Sequence, residues 1–115
     1  MIEVIAEVLE DKKAKDTEII DIKELTILAD YFIICSGTST RHVKSLADAV
    51  EEKLEELGIF KSNKEGYDSA GWILLDYGDV VVHIFREEER QYYNIERLWS
   101  DGVLVSRERE RNVIE

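Results

Sequence analysis

Gly71–Phe85 reads GWILLDYGDVVVHIF, and the reading of this stretch decides the fold. Two apolar runs flank Asp76-Tyr77-Gly78-Asp79, and a two-residue loop with glycine second favours a tight β-hairpin. With Tyr77-Gly78 as the loop, Asp76 faces Asp79, Leu75 faces Val80, Leu74 faces Val81, Ile73 faces Val82 and Trp72 faces His83. Side chains alternate across a strand, so the hairpin has two unlike faces. One is aliphatic: Ile73, Leu75, Val80, Val82 and Ile84. The other is mixed: Trp72, Leu74, Asp76, Asp79, Val81, His83 and Phe85. The aliphatic face is expected to pack on helices. The mixed face, amphipathic and acidic at its turn, has the composition of a recognition surface or a partly wet second core.

Working outward, Ile59–Glu65 reads as a further short strand and Gly66-Tyr67-Asp68-Ser69 as a loop. Upstream lies a long helix. Val43, Leu46, Ala47, Val50, Leu54 and Leu57 recur at helical spacing, Thr38 or Ser39 can cap the start, and Gly58 suits the residue past the end. Its other face carries Asp48, Glu51, Glu52, Glu55 and Glu56 against Lys44 and Lys53. Before it, Tyr31–Cys35 (YFIIC) reads as a strand buried on both faces, ending at a Ser36-Gly37 turn. Thr17–Ile22 reads as another strand. Residues 1–14 form a helix with Ile2, Ile5, Ala6 and Leu9 on one side. After the hairpin, Glu87–Trp99 makes one or two short helices stopped by Ser100-Asp101-Gly102, with Tyr92 and Trp99 assigned to the core. The remaining 13 residues, VLVSRERERNVIE, balance three arginines with three glutamates, as either a solvated tail or a pairing segment. This order gives a single-domain α/β sandwich with a mixed sheet, because a hairpin interrupts the alternation a parallel sheet needs.

The 115 residues are 44% hydrophobic and 36% charged, enough for one core in one domain. Acids number 26 against 15 bases, for a net charge of −11. That excludes a protein held on nucleic acid chiefly by phosphate neutralisation, and one docked on anionic membranes. A basic partner is the electrostatic complement. The lone Cys35 forbids an internal disulfide and reads as a buried small side chain. With only His42 and His83 besides, no Cys/His metal site is expected. No segment reaches the ~18 apolar residues of a membrane helix and no signal peptide opens the chain, so a cytoplasmic location is expected.

Catalytic readings are weak. A Ser36-Gly37 turn before a helix could offer N–H groups to phosphate, as in nucleotidyltransferases. Those enzymes also need two carboxylates on one nearby strand for metal ions, and none follows Gly37. The stretch SGTSTRHVK lacks a Walker lysine. Ser36, Asp79 and His83 lack a nucleophile elbow. His42 reads as solvent-facing and His83 as packed or superficial. The expectation is no enzyme, no cofactor and no metal, with Trp72 as a protein-binding anchor.

At this point the chain resembles the ribosomal silencing factor family, also called iojap or DUF143. The matching residues are Asp30–Val43 (DYFIICSGTSTRHV), Ala47-Asp48, Glu65-Gly66, Gly71–Phe85, Arg90, Tyr93 and Glu96–Trp99. The resemblance implies a silencing-factor domain over residues 1–102, with 103–115 a charged tail or extension. It implies a nucleotidyltransferase-like fold lacking the catalytic carboxylates. It also implies a non-enzymatic translational repressor that binds the large ribosomal subunit through its universal protein L-fourteen. Bound there, it blocks association with the small subunit and lowers translation under nutrient limitation. The alternative is a nucleotide-binding, nucleotidyltransferase-like enzyme using Ser36-Gly37 and Asp76/Asp79. The expected partner-binding residues are Glu65, Trp72, Leu74, Asp76, Tyr77, Asp79, Val81 and His83. No sequence-specific nucleic-acid contact and no membrane contact are expected, and a homodimer would use a sheet edge or the terminal segment.

Overall fold

The structure is a computed structural model that describes residues 1–99 and the backbone of 103–107. Its elements are α1 (Ile2–Asp11), β1 (Lys15–Asp21), β2 (Tyr31–Gly37), α2 (Thr40–Glu56), β3 (Asn63–Glu65), β4 (Trp72–Asp76), β5 (Val80–Arg86), α3 (Glu87–Tyr93), α4 (Ile95–Leu98) and β6 (Val103–Arg107). The strands form one mixed sheet in the order β3-β4-β5-β2-β1-β6. Among the described strands only β2 and β5 run parallel, with Tyr31 beside Val80 at one end and Gly37 beside Arg86 at the other. The α/β class and the mixed sheet are as expected.

α1 and α2 share one face of the sheet. Ile5, Ala6 and Leu9 of α1 and Val43, Leu46, Ala47, Val50 and Leu54 of α2 meet Ile19, Ile33, Cys35, Ile73, Leu75, Val80, Val82 and Ile84 in one core. These are the apolar stripes the sequence displays at 3.6 and 2 residue periods. Leu57 alone falls outside, half-exposed at the helix end. Ser39 caps α2 by accepting from the His42 N–H at 3.1 Å, and Gly58 follows with φ +78°.

Several local expectations are corrected. Ser36 and Gly37 belong to β2 and make no turn there. Gly37 is required by close approach: a Cβ there would lie 2.8 Å from Val43 Cγ2 of α2. The strand expected over Ile59–Glu65 shortens to Asn63–Glu65. Tyr92 is exposed, not core. His42 is no free surface side chain: the Thr38 N–H donates to Nδ1 at 2.9 Å, which leaves Nε2–H to donate to Lys12 O at 2.9 Å. It thus pins the start of α2 to the end of α1. Of the two readings of the tail, pairing holds for Val103–Arg107, which lies antiparallel to β1. The stop at Ser100-Asp101-Gly102 and residues 108–115 lie outside the described residues.

The hairpin register is also corrected. Trp72 pairs with Phe85, Ile73 with Ile84, Leu74 with His83, Leu75 with Val82 and Asp76 with Val81. The loop is Gly78-Asp79, closed by Tyr77 N–H donating to Val80 O at 2.9 Å. Of the two loop residues only Gly78 has positive φ, +85°, as in a turn that takes glycine first. Asp76 and Asp79 therefore do not face each other. The slip is two residues, and an even slip leaves every strand side chain on its expected face.

Candidate partner-binding surface

The sheet face turned away from α1 and α2 is built in cross-strand rows. One row runs Asn63, Asp76, Val81, Phe32, Ile20; the next runs Glu65, Leu74, His83, Ile34, Glu18; the last runs Trp72, Phe85, Ser36. Its floor is a second, smaller core of Ile20, Ile22, Ala29, Ile34, Val81, Phe85 and Ile95, with Phe32, Trp72, Leu74 and Trp99 packed on it.

Aromatic rings dominate this layer. Trp72 stacks on Phe85 at 4.9 Å between centroids and lies 4.9 Å from Tyr93 of α3. Phe32 meets His83 edge-on at 4.6 Å and Trp99 edge-on at 5.1 Å. Such offset and T-shaped pairs contribute beyond simple burial. The Trp72 indole N–H donates to His83 Nδ1 at 3.1 Å, so His83 is an acceptor at Nδ1 and carries its proton on Nε2. Burial of the ring holds the His83 pKa down at about 4, and the imidazole is neutral at physiological pH.

Arg90 fixes the helical cover to this face. Its guanidinium donates to Ser36 Oγ at 2.9 Å on β2, to Glu18 at 3.2 Å on β1 and to Glu96 at 3.0 Å on α4. Such charge-assisted bonds are the strong class. Arg90 and Tyr93 stand among the residues that carry the family resemblance. Their positioning role was not read from the sequence, because the strand partners of Arg90 lie 54 and 72 residues away.

α3 and α4 cover the Trp99–Phe32 side, and residues 22–30 cover the end near Asp79. The β3–β4 flank stays open. There Glu65 is exposed and Trp72, Leu74 and Asp76 are half-buried, while the exposed Asp79 sits past the turn, beside Asp30, Tyr31 and the first residues of the chain, Met1, Ile2 and Glu3. Glu65 accepts from Asn63 Nδ2 at 2.7 Å, and Asp76 Oδ1 accepts from the Gly78 N–H at 2.8 Å, bracing the turn. Val81 and His83 lie buried beneath this flank. Tyr77 points to the other face, against the α1–α2 core, where burial and the nearby Glu51 and Glu55 push its hydroxyl up to about 12. The structure thus gathers four of the eight expected residues at an accessible flank, sets two below it, places one behind it and leaves Asp79 at the hairpin turn.

The residues of the nucleotidyltransferase alternative are not brought together. Ser36-Gly37 sits beside Phe85-Arg86, whereas Asp79 sits beside Asp30 and Tyr31 at the opposite end of the parallel pair. Six residues of strand put about 20 Å between them. Among the described residues no group of three or more His, Cys, Asp or Glu could hold a metal ion.

Comparison with known proteins settles the family. A family model described as "Ribosomal silencing factor during starvation" matches residues 1–114. The chain belongs to the ribosomal silencing factor family. It is 41% identical over 105 residues to the ribosomal silencing factor of Bacillus subtilis, covering 91% of this chain and 89% of that one. The silencing factor of Halalkalibacterium halodurans is 39% identical, covering 94% and 92%. A crystal structure of a Chromobacterium violaceum protein superposes with TM-score 0.84 at 43% identity, covering 86% of this chain and 82% of that one. No helix among the described residues of this silencing-factor chain is long and apolar enough to cross a membrane.

Proposed function

We propose that the chain is a cytoplasmic translational repressor that acts by occupancy. It binds the large ribosomal subunit through the universal ribosomal protein L-fourteen and blocks association with the small subunit when nutrients are scarce. The observation that carries this reading is membership in the silencing-factor family along nearly the whole chain. The docking surface is the open β3–β4 flank together with the exposed hairpin turn that follows Asp76. Trp72 and Leu74 supply the apolar centre, and Glu65, Asp76 and Asp79 accept from lysine or arginine. Val81 and His83 support these residues from below, and Tyr77 braces the hairpin from the α2 side. Such a surface needs no cofactor, metal or catalysis, only affinity that competes with subunit joining.

Sucrose-gradient sedimentation with purified subunits tests the proposal. The chain is expected to travel with the large subunit and to reduce formation of joined ribosomes. Trp72→Ala, with folding verified by circular dichroism, is expected to weaken co-sedimentation. Because Trp72 also packs on Phe85, a Glu65→Lys, Asp79→Lys double variant keeps the test independent of packing. It should lose binding through charge alone. Wild-type sedimentation by both variants would sink the assignment of this flank.

A further inference from the structure

The connection between β1 and β2, residues 22–30, holds two fully presented aliphatic side chains. Ile27 is 101% exposed and Leu28 83%. The segment is nonetheless firmly tied. Ile22 N–H donates to Asp30 O at 2.8 Å, Leu25 N–H to Ile22 O at 2.9 Å, and Leu28 N–H to Thr26 Oγ1 at 3.1 Å. Ile22 and Ala29, at its two feet, are buried in the outer-face core. Ile27 and Leu28 therefore face water from a built support.

Two further observations say what meets them. First, Asp30 N–H and Tyr31 N–H both donate to Asp79 O, at 2.8 and 3.0 Å. This fastens the foot of the segment to the hairpin turn, so the aliphatic pair stands on a support that is tied to Asp79 of the proposed docking surface. Second, the surrounding charge is negative. Asp21, Glu24, Asp30 and Asp79 lie in or against the segment, and Lys23, its one base, is engaged by Asp21 at 3.4 Å and by the Tyr31 hydroxyl at 2.9 Å. A second copy of this chain, at net charge −11, would be repelled here. A basic protein with an aliphatic pocket beside its lysines or arginines fits on both counts.

We propose that Ile27 and Leu28 form a second, apolar prong for the same basic ribosomal protein that meets Trp72, Asp76 and Asp79. This rests on the ribosome-binding reading and extends its contact around the hairpin turn. The prong inserts into an apolar pocket on the partner and sets the orientation of docking, while the acids supply attraction.

The test compares an Ile27→Ser, Leu28→Ser variant with the Glu65→Lys, Asp79→Lys variant. Each is titrated against purified large subunits and against isolated ribosomal protein L-fourteen at several salt concentrations. Both serines replace exposed side chains, so thermal unfolding should match wild type. The serine variant is expected to bind at least about tenfold more weakly with an unchanged salt slope, since only apolar contact is lost. The lysine variant should weaken and flatten the slope. Wild-type affinity in the serine variant, with loss in the lysine variant, overturns the prong and leaves the docking flank standing. Wild-type affinity in both overturns the flank and the prong together. A serine variant that dissociates a dimer in sedimentation yet binds the ribosomal protein as wild type makes this a self-association surface and also overturns the proposal.

Discussion

The two faces of the sheet are made from alternate residues of the same strands, yet they are finished differently. Toward α1 and α2 the side chains are almost all aliphatic, and Ile33, Ile73, Leu75, Val82 and Ile84 are wholly buried. Toward the outside the layer is aromatic and amphipathic, and the short α3 and α4 cover part of it. Leu74 and Leu75 are neighbours in the chain and opposites in environment. The face buried in full carries the main core, whereas the half-covered face leaves Trp72, Leu74 and Asp76 within reach of solvent, with its cover held on by a few polar clamps.

The largest expected effect breaks that contrast at its sharpest point. Leu75→Ala should lose about 4 kcal/mol in urea unfolding, while Leu74→Ala should lose under about 1.5, because only the first opens a cavity in a dry core. Equal losses would mean the outer face is as closed as the inner. Arg90→Met comes next, at about 3 kcal/mol, because it removes the cation shared by Glu18 and Glu96 in a part-buried setting. Its signature would be a rise in Trp fluorescence change with early loosening of α3 and α4, ahead of the α1–α2 core.

Acid sharpens the comparison further. The His83 ring is held at about 4, against 6.5 for a free imidazole. The folded state binds fewer protons than the unfolded chain between those values. The contribution is therefore present above pH 6.5 and is lost as pH falls toward 4, by up to roughly 3 kcal/mol. His83→Gln should flatten that part of the stability-against-pH curve. The smallest effect belongs to the helical surface: Lys53→Ala removes a 3.9 Å exposed pair with Glu56 and should change stability by less than about 0.5 kcal/mol.

Much of this contrast was legible in the chain because it is written in periodicity. The stripe of α2, the doubly buried β2 and the two faces of the hairpin follow from spacing alone. The expected and observed hairpin loops differ because a glycine in second place is the commoner signal, whereas this turn puts Gly78 first. Parity rescued the faces. The sequence sets the acidic α2 face against Lys44 and Lys53 alone, but Glu51 holds Lys61 at 3.1 Å and Lys64 at 2.7 Å, and Asp48 accepts from the Tyr67 hydroxyl at 3.1 Å. Those partners come from the β3 region, as the Arg90 partners come from distant strands. Side-chain bonds across the fold have no period, so no local pattern announces them. Ile27 and Leu28 escaped for the opposite reason: an apolar stretch between two strands looks like structure to be buried, and only the fold shows it facing water.

The pairing of β6 with β1 has a consequence in time. Asp21 is joined to Val103, a separation of about 80 residues, so at about 5–20 residues per second of synthesis β1 waits between about 4 and 16 seconds for its outer neighbour. During that interval β1 is an open edge with unpaired backbone groups, available to any passing strand. The extra residue that β1 carries between Lys15 and Glu18 bends that edge and makes it a poorer template for strangers. The bulge thereby disfavours mispairing of the nascent chain until β6 arrives.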